Sequence, residues 1–164
     1  MTASARDALL ESLLENARYT TEDLARMTGL DESDVEAAIA ELEADGVVRG
    51  YRPVVDWEST DRERVRAVVE VNVELDRETG YTDVSERLAG YDQVDTLRLV
   101  SGDYDFHVEI LGESMRDVSA FIADEVAPLP AVTQTVTHYV MTTYKESGVD
   151  FGDGDDDDRL SVSP

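Results

Sequence analysis

Apolar side chains in residues 1–50 recur every three or four positions, the spacing of helices with one buried face. Over residues 5–17, Leu9, Leu10, Leu13, Leu14 and Ala17 fall on one helical stripe. Thr20 stands before Thr21-Glu22-Asp23, an N-cap with an acidic residue three places on. The helix it starts buries Leu24, Ala25 and Met27 and stops at Gly29. A third helix is predicted from Asp31, with Asp34 in its first turn and Val35, Ala38, Ile39 and Leu42 facing inward; Gly46 closes it in a left-handed cap. A short helix, a turn at Gly29-Leu30 and a longer helix make a helix-turn-helix shape.

Beyond Gly46 the period changes. Residues 47–55 read as extended chain and 59–63 as a polar linker. Val65, Ala67, Val69, Val71, Val73 and Leu75 then alternate with Arg66, Glu70, Asn72 and Glu74, the period of two of a half-buried strand. Residues 82–90 read as a helix, and 94–101 and 104–111 as strands around a Gly102-Asp103 turn. Residues 114–127 read as one helix burying Val118, Phe121, Ile122 and Val126, closed by Pro128 and Pro130, and residues 132–144 as a last strand. The order β-α-β-β-α-β is the split βαβ unit of a ferredoxin-like sandwich. The expected class is therefore α+β: a winged-helix-like helix-turn-helix domain over residues 1–50, a linker strand over 51–63, a βαββαβ domain over 64–146, and a disordered acidic tail over 147–164.

Composition adds a condition on the environment. The 164 residues hold 38 acidic against 14 basic side chains, a formal charge of −24, while an apolar share of 41% suffices for a packed core. Every segment has an acidic excess, and Lys145 is the only lysine beside thirteen arginines. At low salt such a chain repels itself; at molar salt the screening length falls to about 3 Å and the repulsion fades. A host with molar salt in its cytoplasm is the expectation. With no cysteine, disulfides, a thiol nucleophile and cysteine-ligated metals are excluded. No apolar run approaches the ~18 residues of a membrane span and the N-terminus does not read as a signal peptide, so a cytoplasmic protein with no membrane partner is expected. His107 and His138 lie on separate strands without metal-ligand spacing, Met115 and Met141 read as packing residues, and no phosphate-binding glycine loop or nucleophile elbow occurs. No cofactor and no metal is expected.

Three motifs, in order and on matching elements, resemble the Lrp/AsnC ("feast/famine") family over about residues 5–146. They are Gly46-Val47-Val48-Arg49-Gly50-Tyr51 after the third helix, Gly102-Asp103-Tyr104-Asp105 in the turn, and the last strand with Thr135, Thr137, Val140 and Lys145. The resemblance implies a transcription regulator that binds double-stranded DNA through its helix-turn-helix. It implies a homodimer formed through the α+β domains, assembling further to a tetramer or octamer, and an amino acid or similar effector bound between dimers. Carried over from the family, the effector contacts are Gly102, Tyr104, Asp105, Thr135 and Thr137. The chemistry suits an amino acid: glycine lets a ligand approach the backbone, a carboxylate pairs an ammonium, and hydroxyls satisfy a carboxylate.

The DNA contacts are less conventional. Residues 31–45 hold seven acidic side chains and no basic one. The outward face of the third helix would present Ser33, Ala37, Ala40 and Ala44, flanked by Glu36 and Glu41; alanine can meet a thymine methyl and glutamate can accept from cytosine. Phosphate anchoring would fall to Arg18, Arg26, Arg49 and Arg52. Two other readings stand beside the regulator. One is a ligand-sensing oligomeric module without DNA binding. The other is an enzyme, because siroheme decarboxylases share this two-part fold, but no convergent acid–base constellation supports it, and the expectation is no enzyme.

Overall fold

Three helices build the first of two units, Met1–Pro53: α1 (Ala3–Glu15), α2 (Thr21–Thr28) and α3 (Glu32–Ala44). The second unit runs from Val54 onward, and the computed structural model describes residues 3–75 and 80–152 of the chain.

Thr20 caps α2 as a reciprocal box: its hydroxyl accepts the Asp23 N–H at 3.1 Å while the Asp23 carboxylate accepts the Thr20 N–H at 3.3 Å. The helix ends at Gly29, φ +72°. Asp31 has N-cap geometry at α3 but makes no side-chain cap bond. After α3 the chain turns through Gly46, φ +68°, and the Val47 and Val48 N–H groups both return to the Leu42 carbonyl. Leu9, Leu24, Val35, Ala38 and Leu42 form the core, with Leu13, Ile39 and Val48 packed around it.

The stripe on α1 differs from expectation. Leu14 is 85% exposed, Ala17 lies beyond the helix end and is also exposed, and Met27 on α2 faces outward. Leu14 is five positions after Leu9, which turns it about 140° away from the buried side. Ser12 takes the inward place instead, its hydroxyl donated to the Ala8 carbonyl at 2.9 Å.

The α2 cap makes a direct prediction. Thr20→Ala is expected to destabilise this unit by about 1 kcal/mol, read from denaturant unfolding. Hydrogen bonds from the Thr20 hydroxyl and N–H, then the Arg26 charge, hold the Asp23 carboxyl below its ordinary value. A depressed folded-state pKa means the cap's contribution is complete above the ordinary carboxylate value and is lost as pH falls through the depressed one. Thr20→Ala removes the hydroxyl and keeps the N–H and Arg26, so the Asp23 carboxyl followed by NMR should titrate higher, part of the way back to its ordinary value, and the acid-side dependence should shrink.

The second unit follows β1 (Val65–Val73), α4 (Tyr81–Ala89), β2 (Val94–Leu99), β3 (Phe106–Gly112), α5 (Met115–Phe121) and β4 (Val132–Tyr139). Its sheet is antiparallel in the order β2-β3-β1-β4. Val69 stands opposite Val108 on β3 and Thr137 on β4, and this register puts the alternating apolar residues of β1 on the face that α4 and α5 cover. Ala67, Val69, Val71, Phe106, Val108 and Ile110 from the sheet meet Val84, Leu88, Val118 and Phe121 from the helices. The opposite face carries Val68, Glu70, His107, Glu109 and His138, with His107 at 3.3 Å from Glu109 and His138 at 3.2 Å from Glu70.

Five expectations are corrected. The helix expected over residues 114–127 ends in a π-helical turn, Ile122–Val126, closed by the Ala127 N–H on the Ile122 carbonyl; Pro128 has no N–H with which to continue a regular ladder. The last strand stops at Tyr139, and a hairpin of β5 (Lys145–Glu146) and β6 (Val149–Asp150) turns through Ser147 and Gly148, both at positive φ. The hairpin enters the stretch read as a disordered tail over 147–164, of which residues 153–164 lie outside the described residues. Residues 51–63, read as a linker strand, pair with no strand among the described residues; the Asp56 carboxylate instead caps a turn, accepting the Glu58 N–H at 3.0 Å. Met115 and Met141, read as packing, are both exposed.

Candidate functional site

The β2–β3 connection is longer than a two-residue turn. Val100 donates its N–H to the Asp105 carbonyl at 2.9 Å, closing a loop whose Gly102 has φ +143°, a backbone state that side-chain-bearing residues rarely adopt. The loop is tied to β1 at three points. The Asp105 N–H donates to the Val71 carbonyl at 3.1 Å, the Asn72 amide to the Asp103 carbonyl at 2.8 Å, and the Val73 N–H to Asp105 Oδ2 at 2.8 Å. A break in register between Asn72 and Val73 coincides with this last bond: the bulge accompanies a Val73 N–H aimed at a side chain rather than at a neighbouring strand. The other carboxylate oxygen, Asp105 Oδ1, accepts the Tyr81 hydroxyl at 2.9 Å. Tyr81 is the first residue of α4, and its ring meets Phe106 edge-on, centroids 5.9 Å apart at 70°. Donation of its proton to Asp105, and the charge there, push the Tyr81 phenol above its ordinary pKa.

Of the expected effector residues, Gly102, Tyr104 and Asp105 thus lie together in one loop at the end of β1. Thr135 lies opposite Val71 on the other side of β1, so its Cα is about 10 Å from that of Asp105 at normal strand spacing. Thr137 lies one pleat further along, opposite Val69, and both threonines are half-buried on the helix-covered face. The arrangement offers a fixed carboxylate, a loop with no side chain at Gly102, and hydroxyls two strands away. Tyr81, Asn72 and Val73 were not singled out from sequence. Their partners are 24, 31 and 32 positions distant, and no local pattern signals such bonds.

In the first unit, Ser33, Glu36, Ala37, Ala40, Glu41 and Ala44 are all exposed on α3. The arginines beside them are partly engaged. Arg26 pairs with Asp23 at 2.7 Å, Arg49 donates to the Gly46 carbonyl at 3.1 Å, and Arg52 is exposed. Among the described residues no group of three or more histidine and acidic side chains is placed to hold a metal, and no helix is long and apolar enough to cross a membrane.

Comparison with known proteins covers both units. Residues 66–150 match the model of the Lrp/AsnC ligand binding domain, and residues 8–49 match a winged helix-turn-helix DNA-binding model. The chain is 39% identical over 157 residues to the HTH-type transcriptional regulator YugG of Bacillus subtilis, covering 95% of each chain. It is 24% identical to the leucine-responsive regulatory protein of Haemophilus influenzae, over 85% of this chain and 83% of that one. Among solved structures, the leucine response regulatory protein LrpA of Mycobacterium tuberculosis shares the fold at a TM-score of 0.73 and 23% identity, over 90% of this chain and 97% of that one. The regulator NMB0573 of Neisseria meningitidis, solved in complex with L-Met, does so at 0.71 and 20%, over 89% and 94%.

Proposed function

The chain belongs to the Lrp/AsnC family of DNA-binding transcription regulators with a ligand-binding domain, not to an enzyme family, and from that premise we propose that it senses an amino acid through Asp105 and its surroundings. The observation that carries this reading is the Asp105 carboxylate, clamped at one oxygen by the Val73 N–H and so held at a fixed place for an ammonium. Gly102 and Tyr104 supply the loop backbone and a flanking ring, and Thr135 and Thr137 the hydroxyls for the ligand's carboxylate. The L-Met complex of the Neisseria meningitidis relative supports an amino acid as the ligand class.

In the same reading residues 1–50 bind DNA, with Ser33, Glu36, Ala37 and Ala40 meeting base edges and Arg26, Arg49 and Arg52 the phosphates. Residues 64–146 bind effector and form the homodimer, which assembles further to a tetramer or octamer. Effector binding then shifts assembly or head spacing, and DNA affinity by linkage. With so few arginines, affinity comes from several heads on one oligomer, where multivalency raises avidity by about 10²–10⁴. A second reading, a sensor without DNA binding, is favoured by the seven acidic and no basic residues of 31–45.

The experiment is binding of the purified protein to the DNA upstream of its own gene, in multimolar KCl, with and without the twenty amino acids. Selective binding that the amino acids change supports the regulator. Binding without a response removes the effector assignment. A folded oligomer that binds no DNA favours the second reading.

The charge of −24 supports a salt-rich cytoplasm as the working environment. Lowering KCl from molar to about 0.15 M lengthens the screening distance from about 3 to about 8 Å, restoring self-repulsion. The melting temperature is expected to fall steeply over that range; a constant value would overturn the halophile assignment.

A further inference from the structure

The chain's two histidines fall on one surface. His107 on β3 stands opposite Glu70 of β1, and His138 on β4 stands opposite Val68, so both belong to the sheet face that α4 and α5 leave uncovered. Half-buried Val68 and Val136 lie between them. Four carboxylates, Glu70, Asp95, Glu109 and Glu146, are placed on or at the end of this face against two arginines, Arg66 and Arg98. Arg98 pairs with Glu109 at 3.1 Å and Arg66 with Glu146 at 3.0 Å. Glu70 has His138 at 3.2 Å instead, and no arginine pairs with it among the described residues. Protonation of both histidines would bring the face to neutrality. On a chain of charge −24, such a face is one that a second copy can approach without net repulsion, since a two-fold contact sets a patch against itself.

Resting on the reading that residues 64–146 form the homodimer, we propose that this face meets a second copy and that His138, by taking a proton beside Glu70, makes the contact pH-dependent. In the separate chain the pair contributes little, because His138 is 56% exposed and water screens it. Once a second copy excludes that water, a Glu70 carboxylate without a counter-charge is costly, and a proton on His138 supplies one. Of the other charged groups around His138, Arg66 on β1 is engaged by Glu146 and Glu109 on β3 by Arg98, so Glu70 is the group the proton serves. His107 has less need of a proton, because Arg98 already holds the Glu109 carboxylate beside it. The sign follows from linkage. Association that takes up protons is complete below about pH 6.5, an imidazole's ordinary midpoint, and weakens as the pH rises above it. One proton per chain is two per dimer, a limit of about 100-fold in dissociation constant per pH unit.

The test measures the dimer's dissociation constant for the full-length protein by fluorescence-detected sedimentation, in multimolar KCl of fixed concentration, across the range of about pH 6 to pH 8 where imidazoles titrate. The wild type is expected to dissociate about 100-fold more readily at the upper end than at the lower, and His107→Gln to keep most of that change. His138→Gln should associate weakly throughout. Glu70→Gln, with no charge left to balance, should associate at every pH as tightly as the wild type does in acid. Combining the two substitutions should restore tight association to His138→Gln, which a merely damaged surface would not allow. A wild-type dimer indifferent to pH, a His138→Gln variant with the full pH response, or a double variant that stays weak overturns the role of His138 and leaves the homodimer standing. A wild type that is monomeric at every pH and concentration overturns the homodimer reading, and this inference with it.

Discussion

Asp105→Ala is expected to abolish the response of DNA binding to amino acids and to lower the melting temperature of the second unit by about 10 °C. The substitution removes the acceptor of two hydrogen bonds, from the Val73 N–H at 2.8 Å and the Tyr81 hydroxyl at 2.9 Å. The two losses differ. Tyr81 is exposed enough for water to replace Asp105, whereas Val73 is half-buried beside the bulge and its N–H is less open to water. Leaving such a donor unpaired costs about 1–3 kcal/mol, and a domain of this size shifts by about 4–8 °C per kcal/mol. Asp105→Asn separates structure from ligand recognition. The amide oxygen still accepts from Val73, so most of the stability should return in calorimetry, while the missing charge leaves the ammonium unpaired. An asparagine variant that answers amino acids as the wild type does would show that Asp105 acts on the loop and not on the ligand.

The largest effect on stability is expected at Phe106. It is among the largest fully buried side chains, sits on β3 opposite Val71 of β1 and Leu99 of β2, and supports the Tyr81 ring. Phe106→Ala should destabilise the second unit by about 3–5 kcal/mol. Against a typical total of about 5–15 kcal/mol, that is a large share of what a domain has. The first unit has a separate core of Leu9, Leu24, Val35, Ala38 and Leu42. Hydrogen exchange in Phe106→Ala should therefore speed up in β1, β3 and α4 while protection persists in α2 and α3. Equal loss of protection in both units would mean that they fold as one.

What could be read from the chain alone was what neighbours in sequence decide. Thr20 and Asp23 are three apart and one helical turn brings them together, so the cap on α2 was visible, as were the ends at Gly29 and Gly46. The alternation from Val65 to Val73 identified a strand with one buried face, and the order of elements led to the α+β class that the sheet β2-β3-β1-β4 embodies. Hydrophobic spacing also misled where it was too dense. Leu9, Leu10, Leu13 and Leu14 cannot all face one small core, and nothing local says that Leu14 is the one left out. The π-helical turn was invisible because Val118, Ile122 and Val126 remain inward in either kind of helix. The bonds that fix Asp105 were hidden for a different reason. They depend on a bulge in β1 and on the tertiary approach of α4, both of which are products of folding rather than of composition.

The outward face of α3 has a bearing on how such a protein can diversify. Ser33, Ala37, Ala40 and Ala44 are exposed and belong to neither core. Substitutions at positions of this kind usually change stability by no more than about 0.5 kcal/mol. Under the base contacts proposed for this face, a descendant could therefore acquire a new target sequence in single steps through folded intermediates, each keeping the same second unit. Duplicated copies would part company first in the genes they control and only later in the signal they obey.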